Sequence, residues 1–297
     1  MRKDYDHLTR QQQRLLERGV EIIRQQFAEA IKGKGWAREK QGRILKIVLY
    51  GSIARGSAVR DLGSGYRSDF DLLIIVSHPE LTDPEWWYGA EDGLNLEESL
   101  GATRYPYNIV VHDIADVNDQ LRWGRPFFTD INRDGIIVHE FDTKALAKPG
   151  NLSATEILEE AKEHFEQWYE SSVDMLASAN FLGQRPNLNM SAFLLHQAVE
   201  RAYHCVLLTL TLYSPQLHKI DKLRAMAEGL DLRLVDAWPR KTRWQRRPFD
   251  RIRRAYVEAR YSKHYRITPE MLAEATASVS ALQAIVKTVC EERLNPP

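Results

Sequence analysis

Apolar positions recur at helical spacing from Leu8 to Ile31, where Leu15, Leu16, Val20, Ile23, Phe27 and Ile31 form one stripe, so the chain opens on an amphipathic helix. The pattern then changes period. Arg43 to Tyr50, with Ile44, Leu45, Ile47, Val48 and Leu49, reads as a strand ending at glycine and serine, and a second strand follows in Phe70-Asp71-Leu72-Leu73-Ile74-Ile75-Val76. Tyr107 to Asp113 predicts another strand, with a helix beginning near Ile114. Arg125 to Ile131 predicts a short helix and Gly135 to His139 a closing strand. The long segment between Pro79 and Leu100 reads as an insertion, and Trp86, Trp87 and Tyr88 suit its hydrophobic anchor better than a base-stacking lid. Alternating strand and helix signals to about Glu140 predict an α/β domain over residues 1–145. Pro149-Gly150-Asn151 cannot continue regular structure, and Ser153 with Glu156 forms a capping box for the next helix. From Thr155 onward the periodicity is entirely helical, through 157–182, 190–212, 217–230, an arginine-rich helix over 247–261, and 269–290. Residues 152–297 therefore predict an all-α bundle of four to five helices.

The chemistry concentrates around the first two strands. Gly51-Ser52-Ile53-Ala54-Arg55-Gly56-Ser57 sets a turn whose backbone N–H groups suit an anion, and Gly51 lets a phosphate approach the main chain. On the next strand side chains alternate, so Asp69 and Asp71 project together while Phe70 turns toward the core. Paired carboxylates on a rigid strand suit Mg²⁺, whose octahedron phosphates and waters complete. Between these features, Gly63, Ser64 and Gly65 mark an inserted flexible turn. On the strand that follows, Asn108, Val110 and His112 share a face, which leaves Asp113 to cap the helix after it.

The Gly-Ser turn followed by Asp-x-Asp resembles the nucleotidyltransferase superfamily, which includes DNA polymerase beta, kanamycin nucleotidyltransferase and minimal nucleotidyltransferases. The resemblance implies an α/β nucleotidyltransferase domain with a mixed sheet and flanking helices. It gives Gly51 and Ser52 the role of holding the phosphates of a nucleoside triphosphate, with ATP expected, and Asp69 and Asp71 that of catalytic metal ligands for one or two Mg²⁺. Arg55 is a further phosphate contact. The family places a third acid on a later strand, where this chain has Asn108, so the resemblance supports nucleotide binding more strongly than catalysis. The general base has no matching residue; Glu200 and Glu258 are candidates.

Two stretches of the helical half, Phe193-Leu194-Leu195-His196-Gln197-Ala198-Val199-Glu200-Arg201-Ala202-Tyr203-His204 and Arg260-Tyr261-Ser262-Lys263-His264-Tyr265, resemble the HEPN domain. Many members of that family cut RNA with an arginine and a histidine four to six residues apart, whereas Arg260 and His264 are separated by three. The resemblance to paired bundles implies a homodimer. The three functions open to such a chain are nucleotidyl transfer to a hydroxyl of a small molecule, RNA or protein, RNA cleavage of the toxin–antitoxin type, and nucleotide binding without catalysis.

Composition narrows the setting. The 297 residues are 43% hydrophobic and 28% charged, an ordinary globular balance, and the net charge is zero. No apolar run approaches the ~18 residues of a membrane span, so the cytoplasm is the expected location. Cys205 and Cys290 sit in apolar helical patterns without metal-ligand spacing and read as buried thiols, and His196 and His204 read as core histidines. Charge is nevertheless uneven. Pro239 to Arg266 carries eleven Lys or Arg against Asp250 and Glu258. Arg247, Arg251 and Arg254 stack along one helix face opposite Phe249, Ile252, Tyr256 and Ala259, an arrangement that calls for a neighbouring carboxylate or a bound anion. Arg254, Arg260 and Lys263 are the candidates for phosphate.

Overall fold

The computed structural model describes residues 1–32, 42–59, 61, 63–185 and 187–295. The chain divides into two compact units, one of residues 1–60 and 67–152, the other of residues 61–66 and 153–297.

In the first unit, α1 (Arg10–Lys32) precedes β1 (Ile44–Tyr50), which runs directly into the one-turn helix α2 (Gly51–Ala54). Then come β2 (Phe70–Val76), α3 (Tyr88–Ser99), β3 (Tyr107–Asp113), α4 (Ile114–Arg122), α5 (Pro126–Asp134) and β4 (Ile136–Glu140). The four strands form a mixed sheet in the order β3-β2-β1-β4, with β1 antiparallel to both β2 and β4 and β2 parallel to β3. Ile47, Leu49, Phe70, Leu72 and Ile74 face one side and join the core with Leu16, Ile23 and Phe27 of α1. Val48, Leu73 and Ile75 face the other side and are buried as well, under α4 and α5. Both faces are covered, so β2 is a continuous apolar run once past Asp71. Gly19 of α1 is where Tyr107 crosses: a Cβ there would stand 2.4 Å from the ring, and the phenol donates to the Leu15 carbonyl at 2.6 Å.

The segment 79–100 differs from the insertion read in the sequence. Parallel pairing of β2 with β3 requires a crossover, and this segment, with two 3₁₀ turns and α3, is that crossover. Trp86 and Trp87 do anchor it. Both are buried, Trp87 stacks on Phe27 at 4.9 Å, and their indole N–H groups donate to Glu80 and Leu81 carbonyls, while Tyr88 lies exposed. Asp113 caps α4, accepting from the Ala115 and Asp116 N–H groups.

The second unit holds α6 (Ala154–Gly183), α7 (Leu188–Thr211), α8 (Ile220–Leu230), a 3₁₀ segment (Leu232–Ala237), α9 (Arg243–Tyr261) and α10 (Pro269–Leu294). Helix α7 is apolar nearly all round, with Leu195, Ala198, Val199, Ala202, Tyr203 and Val206 buried, and it is therefore the central element against which α6, α8, α9 and α10 pack. Buried polar links fix the packing: Ser172 donates to the Ala198 carbonyl at 2.8 Å, and Gln283 donates to Ser172. The capping box at Ser153 and Glu156 is present, and a second, Thr242 with Gln245, starts α9 four residues earlier than the periodicity indicates. Cys205 and Cys290 are free and buried, and the neighbouring Cys290 thiol together with burial pushes the Cys205 thiol up.

Candidate functional site

At the end of β1 the backbone enters a left-handed conformation, φ +76° at Gly51, so that α2 begins at once. A Cβ on Gly51 would stand 2.3 Å from Oδ2 of Asp71. Glycine is thus required twice over, by the dihedral angle and by the carboxylate pressed against its α-carbon. No side chain caps α2 at its start. Ser52 on the same turn bonds Ser68 Oγ at 2.9 Å, and Ser68 in turn accepts the Val59 N–H at 2.9 Å, which fixes the turn to the approach of β2.

Register completes the arrangement. Asp71 lies opposite Tyr50 in β1 and beside Asn108 in β3. The Asn108 amide Nδ2 donates to Asp69 at 3.0 Å and to Asp71 at 3.2 Å, so both carboxylates converge on one point. Burial pushes the Asp71 carboxyl up to about 7, against the Asn108 hydrogen bond and the Arg55 charge, which pull it down. Two convergent hard-oxygen ligands fit Mg²⁺, and among the described residues no third acidic or histidine ligand joins them. Asn108 thus sets an amide between the two aspartates, and that amide binds both carboxylates. Gly51, Ser52, Asp69 and Asp71 come together as the sequence pattern implies. Arg55 is exposed at the end of α2, near enough for its charge to act on Asp71.

The remaining candidates belong to the second unit. Arg254 is held bidentate by Glu258, at 2.7 and 2.8 Å, so both are already engaged. Arg260 donates to the Tyr256 carbonyl at 2.6 Å and lies over the rings of Phe193, Tyr256 and Tyr261. Lys263 and His264 are exposed beyond the end of α9 at Tyr261. His204 is a bonded core histidine, to Ser214 at 2.6 Å, and burial pulls its pKa down.

Sequence reasoning missed a cluster on α7. Glu200 is buried and takes a hydrogen bond from His218 Nδ1 at 3.0 Å, with His196 Nε2 facing it at 3.5 Å. Burial alone raises the Glu200 carboxyl, but the two imidazoles more than offset it, so it stays below the usual carboxylate range. The His218 ring, largely exposed, stacks on Tyr256 at 5.1 Å, the ring that Arg260 also covers at 4.5 Å. His218 comes from the turn after α7 and Arg260 from the end of α9, so no spacing in the sequence signals that both pack on Tyr256.

No curated protein matches the chain. Residues 165–292, from within α6 to within α10, match the family model of the HEPN domain, in agreement with the resemblance seen at Phe193–His204 and Arg260–Tyr265.

Proposed function

We propose that the first unit is a Mg²⁺-dependent nucleotidyltransferase, moving a nucleoside monophosphate from a triphosphate such as ATP to a hydroxyl acceptor. The observation that carries this reading is the contact of Gly51 with Asp71, which brings an uncapped backbone turn and a carboxylate pair to a single point. A triphosphate is recognised by two things at once: N–H groups for its terminal phosphates and carboxylates for the cation it brings. Gly51 and Ser52 would receive the β- and γ-phosphates, and Asp69 and Asp71 would hold the cation. A Mg²⁺ held by Asp69 and Asp71 would supply charge neutralisation of the phosphates. The acceptor oxygen would bond to the α-phosphorus as the phosphorus–oxygen bond to pyrophosphate breaks, its hydroxyl proton passing to solvent water. Calorimetric titration of triphosphate with Mg²⁺ tests the site: equal affinity for wild type and the double variant Asp69→Asn with Asp71→Asn sinks it, and pyrophosphate release with candidate acceptors tests the chemistry.

The HEPN match speaks for the helical unit alone, and it favours a second reading, in which that unit cleaves RNA. His218 is better held than His264 as a candidate base, because Glu200 orients its imidazole whereas His264 lies past the helix end, and His218 and Arg260 each pack on the Tyr256 ring. Metal-independent RNA cleavage that disappears in both His218→Ala and Arg260→Ala supports this reading. Cleavage that needs Mg²⁺, or that survives both changes, refutes it.

A further inference from the structure

On the second unit, α8, the segment after it and the first half of α9 enclose a cavity of about 650 Å³. Arginine dominates its lining, beside Phe249, Asp250 and Met271. Arg224 and Arg240 share one carboxylate, the buried Glu228, and Arg253 is paired with Asp250 at 2.7 Å. Arg243, Arg246, Arg247 and Arg251 have no carboxylate within ion-pair distance among the described residues. Seven arginines thus face Asp250 and Glu228, leaving an excess of five positive charges in a chain whose net charge is zero.

Three features set this apart from a solvated basic face. First, the arginines recur at three- and four-residue steps, so they share one side of α9 and repel one another, which costs stability unless an anion enters. Second, several are fixed rather than free: Arg224 donates to the Trp238 carbonyl at 2.9 Å and lies over Phe249 at 4.4 Å, Arg246 donates to the Arg240 carbonyl at 3.0 Å, and Arg247 lies over Trp244 at 3.8 Å. Third, Nε of Arg240 is buried without a hydrogen-bond partner, an unsatisfied donor of the kind an anion relieves. Planar guanidinium forks match phosphate oxygens bidentately, where lysines would offer only point charges.

We propose that this cavity is an oligophosphate-binding site, taking an anion of three or more linked phosphates, either inorganic polyphosphate or the phosphate chain of a nucleotide. The charge excess decides the class, since a single phosphate balances less than half of it while a triphosphate balances most of it. The site is independent of the nucleotidyltransferase reading, because every lining residue belongs to the helical unit.

The test uses the full chain carrying Asp69→Asn and Asp71→Asn, in chelator, so that the metal site is silent. Binding of inorganic tripolyphosphate, ATP, orthophosphate and a single-stranded RNA oligonucleotide is measured by calorimetry, with and without Arg247→Gln plus Arg251→Gln, changes at half-buried positions that leave the buried Arg224 and Glu228 pair intact. Tripolyphosphate is expected to bind at least tenfold more weakly after the double change, and orthophosphate to bind far more weakly than tripolyphosphate throughout. ATP equal to tripolyphosphate assigns the site to phosphates alone, and tighter ATP adds Trp244 as a base platform; both support the proposal. Tripolyphosphate affinity unchanged by the arginine replacements overturns it. So does RNA that binds more tightly than tripolyphosphate and displaces it, which would make the cavity part of a nucleic-acid surface.

Discussion

Replacing Asp71 by asparagine should stabilise the metal-free protein at alkaline pH, although Asp71 is the residue most central to the proposed site. Its carboxyl titrates near 3.8 when unfolded and is pushed up to about 7 by burial when folded. Between those values the folded chain retains a proton that the unfolded chain releases, so raising the pH through this window removes stability, and the loss is complete above about 7. Three units at 1.36 kcal/mol each set an upper limit of about 4 kcal/mol. Because Asp71 keeps part of its surface open to water, about 2 kcal/mol is the expected gain for Asp71→Asn at pH 8, with none below pH 4. The amide preserves the shape and an acceptor for Asn108, and it removes only the charge. Hydrogen exchange of the β1 and β2 amides, in chelator, reads the first unit alone, which global denaturation of a two-unit chain does not. Millimolar Mg²⁺ with triphosphate should reverse the order by binding only the wild type. A variant no more protected than wild type at pH 8, or equally advantaged at pH 4, refutes the argument that burial of this carboxylate holds the site in strain.

Gly51→Ala should lower the melting temperature, since a left-handed alanine costs about 1–2 kcal/mol and its methyl would displace Asp71. Calorimetry should show Mg²⁺-dependent triphosphate binding lost in the same variant. Ser153→Ala removes one half of the capping box that starts α6 and should cost about 1 kcal/mol, seen as a lower urea midpoint for the helical unit. Glu200→Gln has a pH signature: the depressed carboxyl contributes stability above the usual carboxylate range and loses it as the pH falls through its folded value, so the variant should be less stable than wild type at neutral pH, with the gap closing as the medium is made acidic enough to protonate the folded carboxyl.

What the sequence made legible was local, and what it hid was contact between elements. The Asp69 and Asp71 pair followed from strand alternation alone, and the capping box at Ser153 from a four-residue pattern. The crossover over 79–100 was readable only as an unexplained length, because whether β2 and β3 pair in parallel is a property of the sheet and leaves no mark on either strand. The arginines of α9 divide along the same line. Their spacing showed that they stack, and Glu258 one turn on from Arg254 is likewise a local pair; that Arg247 and Arg251 open into a cavity shared with Arg224 and Arg240 depends on how separate elements come together. His218 could not be joined to Glu200 from eighteen residues away without the turn that brings it back.

On the nucleotidyltransferase reading, Asn108 stands where a third carboxylate is expected, and it changes how the site is held. A third carboxylate beside Asp69 and Asp71 would put three like charges at hydrogen-bond separation, tolerable only with cations bound. An amide reverses the balance: its Nδ2 donates to both aspartates, so the bare site is held together by attraction. Rotating that amide by half a turn presents its carbonyl oxygen in place of the donor, a neutral ligand suited to a hard cation. The pair then offers two negative charges, which balance one divalent ion, and a second ion has to be balanced by the phosphates of the nucleotide itself. Under the nucleotidyltransferase reading, triphosphate and the second cation therefore enter together, and affinity for Mg²⁺ alone stays weak until the nucleotide is bound.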